Sequence, residues 1–250
     1  MKKKVLIADY DFGNVDIERR IIEGAGFEII PAQCKNEDEV IAVGRDVDGV
    51  LCQYAPVKAR AIAAFTRCKV IARYGTGVDI VDVDAATRRG VMVVNAPQSN
   101  IISAAEHTMA MLLAQARNIP QASAALKAGR WERSRWEGVE LADKTLAVIG
   151  LGRIGKLVAD RAKAFGMHVV AYDPFVSADK ARHMGVELLS LDQAVSEADF
   201  LTIHLPKTRE TTGLINRDLL IKAKPTMRLI TLLAAALSTK ASWLRQFATE

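Results

Sequence analysis

Short apolar runs alternate along this chain with stretches in which apolar residues return every three or four positions, and that alternation predicts strands and helices in turn. Val5–Ala8 reads as a buried strand. Asp16–Ala25 carries Ile17, Ile21 and Ile22 at helical spacing, and Gly26 stands where a helix ends in a left-handed residue. Strands follow at Phe27–Ile30, Gly49–Cys52, Val70–Arg73 and Val91–Val94, with helices over Glu37–Val43 and Ala59–Thr66 between them. The series closes at Asn95-Ala96-Pro97, a proline-marked connection. A long helix, Asn100 to Arg117, is apolar on most of its circumference, which predicts burial between domains or subunits. A second series then runs through strand Thr145–Ile149, helix Arg153–Phe165 and strand His168–Tyr172. It continues with a short helix and strand within Ala178–Leu189, helix Leu191–Glu197, strand Phe200–Leu205, helix Arg217–Lys222 and strand Met227–Thr231. Strand–helix alternation of this kind belongs to α/β folds built on parallel sheets.

Length and charge narrow the picture a little further. At roughly 150 residues per domain, 250 residues amount to about one and two-thirds domains. A chain 50% apolar and 25% charged is neither disordered, collagenous nor coiled coil. The net charge of +5 is spread out, with no basic blocks interleaved with aromatics, so no nucleic-acid partner is expected. Cys34, Cys52 and Cys68 are odd in number and form no Cys-x-x-Cys, which encodes neither a disulfide framework nor a zinc site. The apolar run Leu229–Thr239 is too short to span a bilayer, and the basic start gives way to a strand rather than a signal peptide. A soluble cytoplasmic protein is expected, with no membrane partner.

The chemistry lies where the second series begins. Gly150-Leu151-Gly152-Arg153-Ile154-Gly155 sits between a predicted strand and a predicted helix. In a dinucleotide site Gly150 permits the tight turn, Gly152 lets the backbone approach a pyrophosphate, and Gly155 lets helix and strand pack closely. The helix N-terminus adds N–H donors and positive dipole, and Arg153 adds a charge. Asp173 ends the next strand, where an acid accepts hydrogen bonds from the adenosine ribose and repels a 2′-phosphate, which favours NAD over NADP. The plainer alternative is a glycine-rich turn with a capping aspartate. Elsewhere, Arg130–Gly138 places Trp131 and Trp136 among five charged residues. It reads either as a solvated loop with two anchors or as an arm packing on a second subunit.

Several of these stretches together resemble the NAD-dependent D-isomer-specific 2-hydroxyacid dehydrogenases. The residues concerned are Gly150–Gly155 with Tyr172-Asp173-Pro174, Asn95-Ala96-Pro97 through Ala105-Glu106-His107-Thr108, and His204-Leu205-Pro206 followed by Thr211-Thr212-Gly213. Ala116–Gln121 and Gly129-Arg130-Trp131 are most similar to the D-3-phosphoglycerate dehydrogenase branch, whereas Asp9–Phe12 resembles C-terminal-binding-protein-like members. The resemblance implies two Rossmann-like or flavodoxin-like parallel-sheet domains separated by a cleft. It implies that Gly75-Thr76-Gly77 holds the substrate carboxylate, with Thr76 also reaching the cofactor. Arg153 and Ile154 would lie on the pyrophosphate, Asp173 on the ribose, and His204, Leu205 and Pro206 along the nucleoside. Gln53–Pro56 is a further candidate substrate loop. The family base is a histidine near the C-terminus paired with a glutamate, beside a carboxylate-orienting arginine; His107, His168, His183 and His204 are none of them that histidine.

The pattern departs from the family after Thr231. The family continues Asn-Thr-Ala-Arg-Gly-Gly-x-Val-Asp-Glu, whose arginine is catalytic, but this chain reads Leu232-Leu233-Ala234-Ala235-Ala236-Leu237-Ser238-Thr239-Lys240. Joining the last base of each codon to the first two of the next allows the family motif to be read in order in one alternative frame. Ile230 into Thr231 allows Asn, and Leu233 into Ala234 allows Arg. A base lost near the codon for Ile230 is therefore expected, with the nucleotide sequence across codons 225–250 as the test. On that reading residues 1–97 form a substrate domain lacking its C-terminal return, 98–231 a truncated NAD-binding domain and 232–250 an aberrant tail. Ala234 occupies the arginine's place, so no catalytic residue is assigned and the chain as written is expected to be inactive. The function implied is an oxidoreductase acting on the CH–OH group of a small, phosphoglycerate-like D-2-hydroxy acid, interconverting it with the 2-keto acid, with NAD as hydride acceptor and a homodimer in the intact family. The alternatives are a non-catalytic NAD-binding module acting through protein partners and a non-functional fragment.

Overall fold

The computed structural model describes residues 2–206, 208 and 210–232. Most of the stretch on which the frame-shift reading rests, 233–250 with Ala234, lies outside them. The chain divides into two units, Met1–Asn100 and Ile101–Glu250.

The first unit is a five-stranded parallel sheet in the order β2-β1-β3-β4-β5. Its strands are β1 (Lys4–Ile7), β2 (Glu28–Pro31), β3 (Gly49–Cys52), β4 (Val70–Arg73) and β5 (Met92–Asn95). Helices α1 (Asp16–Gly24), α2 (Glu37–Gly44), α3 (Ala59–Ala64) and α4 (Val83–Arg88) connect them. Because side chains alternate across a strand, Leu6 and Ala8 enter one core with Ile62, Phe65 and Ile71, while Ile7 enters another with Val15 and Ile29. This is the doubly wound order seen in flavodoxin-like sheets, with the strand order reversing between β1 and β3.

The second unit begins with α5 (Ile101–Ala116) and α6 (Ile119–Lys127) and then builds a parallel sheet in the order β10-β9-β6-β7-β8. Its strands are β6 (Thr145–Ile149), β7 (His168–Tyr172), β8 (Glu187–Leu188), β9 (Phe200–Ile203) and β10 (Arg228–Thr231). The connecting helices are α7 (Arg153–Ala164), α8 (Ala178–His183), α9 (Leu191–Glu197) and α10 (Arg217–Leu220). Counted within the unit the order is 3-2-1-4-5, the Rossmann arrangement, with its reversal between β6 and β9. Leu146 and Val148 pack on one face with Val158 and Leu112, and Ala147 and Ile149 on the other with Leu201 and Ile215. Both faces are covered, which is why these strands are continuously apolar.

The structure adds detail in three places. Helix α1 buries no residue: Ile22 packs on its sheet, but Ile17 and Ile21 are exposed, so its apolar spacing does not mark a core face. The long helix α5 buries Ala105, Met109, Leu112 and Ala116 against α7 and the β6 sheet of its own unit, which accounts for much of its apolar circumference. Helices α4 and α6 were not expected. The first is six residues long, too short for a period to declare itself, and is started by Asp82, whose carboxylate accepts the Ala85 N–H. The second follows Asn118 in a left-handed conformation (φ 50°), with Pro120 in its first turn and Gly129 (φ 74°) at its end.

Candidate functional site

The turn after β6 is held from three sides. Gly150 has φ 96°, in the left-handed region that favours glycine. A Cβ there would stand 2.7 Å from the carbonyl oxygen of His204, at the end of β9. A Cβ on Gly155, in the first turn of α7, would stand 2.0 Å from the Gly150 carbonyl oxygen, so helix and turn are in backbone contact. Gly152 is the opposite case: among the described residues nothing lies within 4 Å of where its Cβ would be. It is the N-cap of α7, with no side chain capping the helix. Two glycines therefore close the turn and the middle one leaves open space at a helix N-terminus, a cradle of the shape that a pyrophosphate needs.

The end of β7 supplies the third side. The Gly150 N–H donates to the Tyr172 carbonyl at 2.9 Å, and the Leu151 N–H donates to Asp173 Oδ2 at 2.8 Å. Asp173 Oδ1 accepts the Phe175 N–H at 2.9 Å. Arg153 is exposed and Ile154 half-buried on the first turn of α7. On the β9 side the His204 N–H donates to the Ile149 carbonyl at 2.7 Å, and its ring Nε2 lies 3.0 Å from the hydroxyl of buried Thr202. Burial pushes the His204 imidazole down to about 4, so it is neutral at physiological pH. Leu205 is buried against Gly150 and the core, while Pro206 is exposed and its carbonyl accepts the Thr211 hydroxyl. The fold thus brings Gly150, Gly155, Asp173, His204 and Leu205 into one assembly at the reversal point of the sheet, with Gly152, Arg153 and Ile154 opening from it.

Gly75, Thr76 and Gly77 lie in the first unit, on the loop leaving β4. Gly75 has φ 112°, and a Cβ on it would stand 2.1 Å from Nη1 of Arg73. The Ala96 N–H donates to the Gly75 carbonyl (3.0 Å) and Asn95 Nδ2 to the Thr76 carbonyl (2.7 Å), so the last residue of β5 and the one after it pin the loop. The guanidinium of Arg73 against this loop was not anticipated. Neither was Asp9, 7% exposed, whose carboxylate accepts the N–H groups of Gln53 (2.8 Å) and Tyr54 (2.6 Å). An open depression of about 320 Å³ lies over that candidate loop, lined by Asp9, Tyr10, Asp11, Lys35 and Tyr54 among others, and not over the glycine turn. Arg73 ends β4 and Asp9 lies two residues beyond β1, positions from which a side chain reaches a nearby loop.

His107, His168 and His183 are exposed on helix, strand and helix. Among the described residues no three His, Cys, Asp or Glu side chains converge to hold a metal, and no helix is long and apolar enough to cross a membrane. Trp131 is 76% exposed, whereas Trp136 is half-buried, donates to Glu132 Oε2 (3.1 Å) and stacks beneath Arg135.

Residues 109–237 match the family described as D-isomer specific 2-hydroxyacid dehydrogenase, NAD binding domain. The chain is 53% identical over 191 residues to D-3-phosphoglycerate dehydrogenase of Mycobacterium bovis, covering 76% of this chain and 36% of that protein. It is 44% identical over 229 residues to the D-3-phosphoglycerate dehydrogenase of Synechocystis, covering 91% of this chain and 40% of the relative. The chain thus spans about two-fifths of the length of these curated relatives. Its fold superposes on D-lactate dehydrogenase from Aquifex aeolicus, solved with NAD and lactic acid, with a TM-score of 0.86 and 27% identity over 97% of this chain and 73% of that one.

Proposed function

This chain belongs to the D-isomer-specific 2-hydroxyacid dehydrogenases, through their NAD-binding domain, and we propose that its second unit binds NAD on the glycine turn to serve oxidation of a small D-2-hydroxy acid. The observation that carries the reading is the open space over Gly152 between two closed glycines, with Asp173 hydrogen-bonded into the same turn. Bound there, NAD supplies a hydride acceptor at its nicotinamide. The residues of the chain bind and orient it. The α7 N-terminus and Arg153 face the pyrophosphate, Asp173 accepts from the adenosine ribose, and His204 and Leu205 wall the nucleoside side. In the first unit the loop Gly75-Thr76-Gly77, with Arg73 against it, holds the carboxylate of the acid, for which phosphoglycerate-like compounds lead in keeping with the names of the relatives.

The resemblance assigns the proton to a histidine that is none of His107, His168, His183 and His204, and Ala234 stands where it expects an arginine. We therefore propose that the 250-residue chain binds NAD without turning over the acid. Titrating the purified chain with NADH, and assaying NADH-dependent reduction of a 2-keto acid beside it, tests both halves. Binding without turnover is expected; turnover overturns the inactivity, and absence of binding overturns the cofactor reading. The compartment proposed is the cytoplasm, in keeping with three buried free cysteines. The homodimer proposed rests on exposed Trp131, Ile119 and Leu126 around α6, and sedimentation of a Trp131→Ala variant tests it.

A further inference from the structure

The acid that follows β7 does more in this chain than receive a ribose. We infer that Asp173 is the positioning residue that sets the shape of the pyrophosphate turn, holding it before any cofactor arrives; the inference rests on the cofactor reading above only for what the turn binds. Both carboxylate oxygens of Asp173 are already engaged by backbone: Oδ2 with the Leu151 N–H and Oδ1 with the Phe175 N–H. Leu151 is itself only 5% exposed. Without the carboxylate its N–H loses its hydrogen bond next to a packed side chain, and a buried donor without a partner is costly.

The other two sides of the turn explain why this bond matters. Toward α7, a Cβ on Gly155 would overlap the Gly150 carbonyl, and toward β9 a Cβ on Gly150 would overlap the His204 carbonyl. Those two contacts are steric walls, which limit where the turn can go but do not pull it anywhere. The Gly150 N–H continues the main-chain link to Tyr172, and the next amide, that of Leu151, turns to the Asp173 side chain. Among these contacts of the turn the carboxylate is the one attractive tie made by a side chain, so it is the one that a substitution removes. A carboxylate oxygen has two lone pairs, and each Asp173 oxygen therefore keeps one acceptor site for a ribose hydroxyl. Strut and ribose acceptor are the same group.

The consequence concerns cofactor selectivity. Were Asp173 only a ribose acceptor, replacing it would relax discrimination against a 2′-phosphate and leave phosphate binding intact. As a strut, its loss spoils the cradle for every dinucleotide, phosphorylated or not, and for ligands with no adenosine ribose at all.

The test uses the full chain, its Asp173→Ala and Asp173→Asn variants, and a Phe175→Ala control that keeps the backbone N–H. Binding of NADH, NADPH and inorganic pyrophosphate is measured by calorimetry, and hydrogen exchange of the peptide spanning residues 150–153 is followed in the ligand-free chains. Expected for Asp173→Ala are faster exchange in that peptide, about tenfold weaker pyrophosphate binding, the scale of one hydrogen bond to a charged group, and no gain of NADPH. Asp173→Asn, which retains one acceptor oxygen, falls between, and serves where the alanine variant does not fold. Weaker NADH binding with unchanged pyrophosphate binding and unchanged exchange overturns the strut. If the unsubstituted chain binds neither NADH nor pyrophosphate, the cofactor reading fails, while the exchange measurement still decides the strut.

Discussion

The two units answer the same topological opportunity in opposite ways. Each sheet reverses its strand order once, between β1 and β3 in the first and between β6 and β9 in the second, and a reversal leaves a crevice at the carboxyl ends of the strands. In the first unit a side chain ties the loops across it: Asp9, two residues beyond β1, turns its carboxylate onto the N–H groups of Gln53 and Tyr54 beyond β3, beneath the open depression described above. In the second unit the residue after β6 is Gly150, which brings no side chain of its own, and Leu205 packs against it from beyond β9. The aspartate of that unit comes from the next strand and braces the turn from outside, through Leu151. Topology offers a crevice to both sheets; the residues just beyond the first strand decide whether a carboxylate ties the loops across it or a glycine leaves the backbone bare.

Substitutions can break this contrast, and the largest effect is expected at Gly155. A Cβ there meets backbone at 2.0 Å, so Gly155→Ala forces helix and turn apart. NADH binding should be lost, with destabilisation of about 3 kcal/mol, read from fluorescence titration and urea melts; retained binding would mean that the closed glycine contact does not define the cradle. The carboxylate-tied crevice should behave differently. Asp9→Ala leaves two N–H groups without their carboxylate and should cost about 2 kcal/mol in the same melts, yet leave NADH affinity unchanged.

Acid sharpens the contrast further, because all four histidines lie in the second unit. His204 is held neutral by burial, its value pushed from 6.5 down to about 4. The unfolded chain therefore binds a proton that the folded chain refuses. Stability from this group is complete above 6.5 and is lost as pH falls toward 4, with about 1 kcal/mol gone by one pH unit below 6.5. Thermal melts between pH 7 and 5 should show the decline, and His204→Gln should flatten it. The smallest effect concerns Arg19 and Glu23, an exposed pair 2.8 Å apart on α1. Arg19→Ala should change stability by less than about 0.5 kcal/mol, and a larger change would mean that α1 leans on more than its few sheet contacts.

Legibility followed local chemistry. Strands β3, β4, β6 and β7 and helix α9 lie where the sequence places them, residue for residue, because apolar runs between turn residues leave little choice. The glycine turn was readable for the same reason: three glycines at fixed spacing between a strand and a helix constrain the backbone directly. The partners of that backbone were not readable. Nothing in the spacing says that Leu151 donates to Asp173, 22 residues on, which depends on how β6 and β7 are paired, or that Thr202 sits against the His204 ring and the Arg73 guanidinium against Gly75, which depend on side-chain rotamers at strand ends. Helix α1 failed in the other direction, with an apolar period that the fold leaves half in water.

The charged arm before β6 carries one further consequence, an optical one. Trp131 stands 76% exposed while Trp136 is half-buried, bonded to Glu132 and covered by Arg135. The two indoles therefore occupy different polarities, and Trp131 emits from water. If a second copy of the chain covers it, its emission moves to shorter wavelength as protein concentration rises, with no label added. A Trp131→Ala variant, which keeps Trp136 and Trp243, supplies the baseline for the same dilution series.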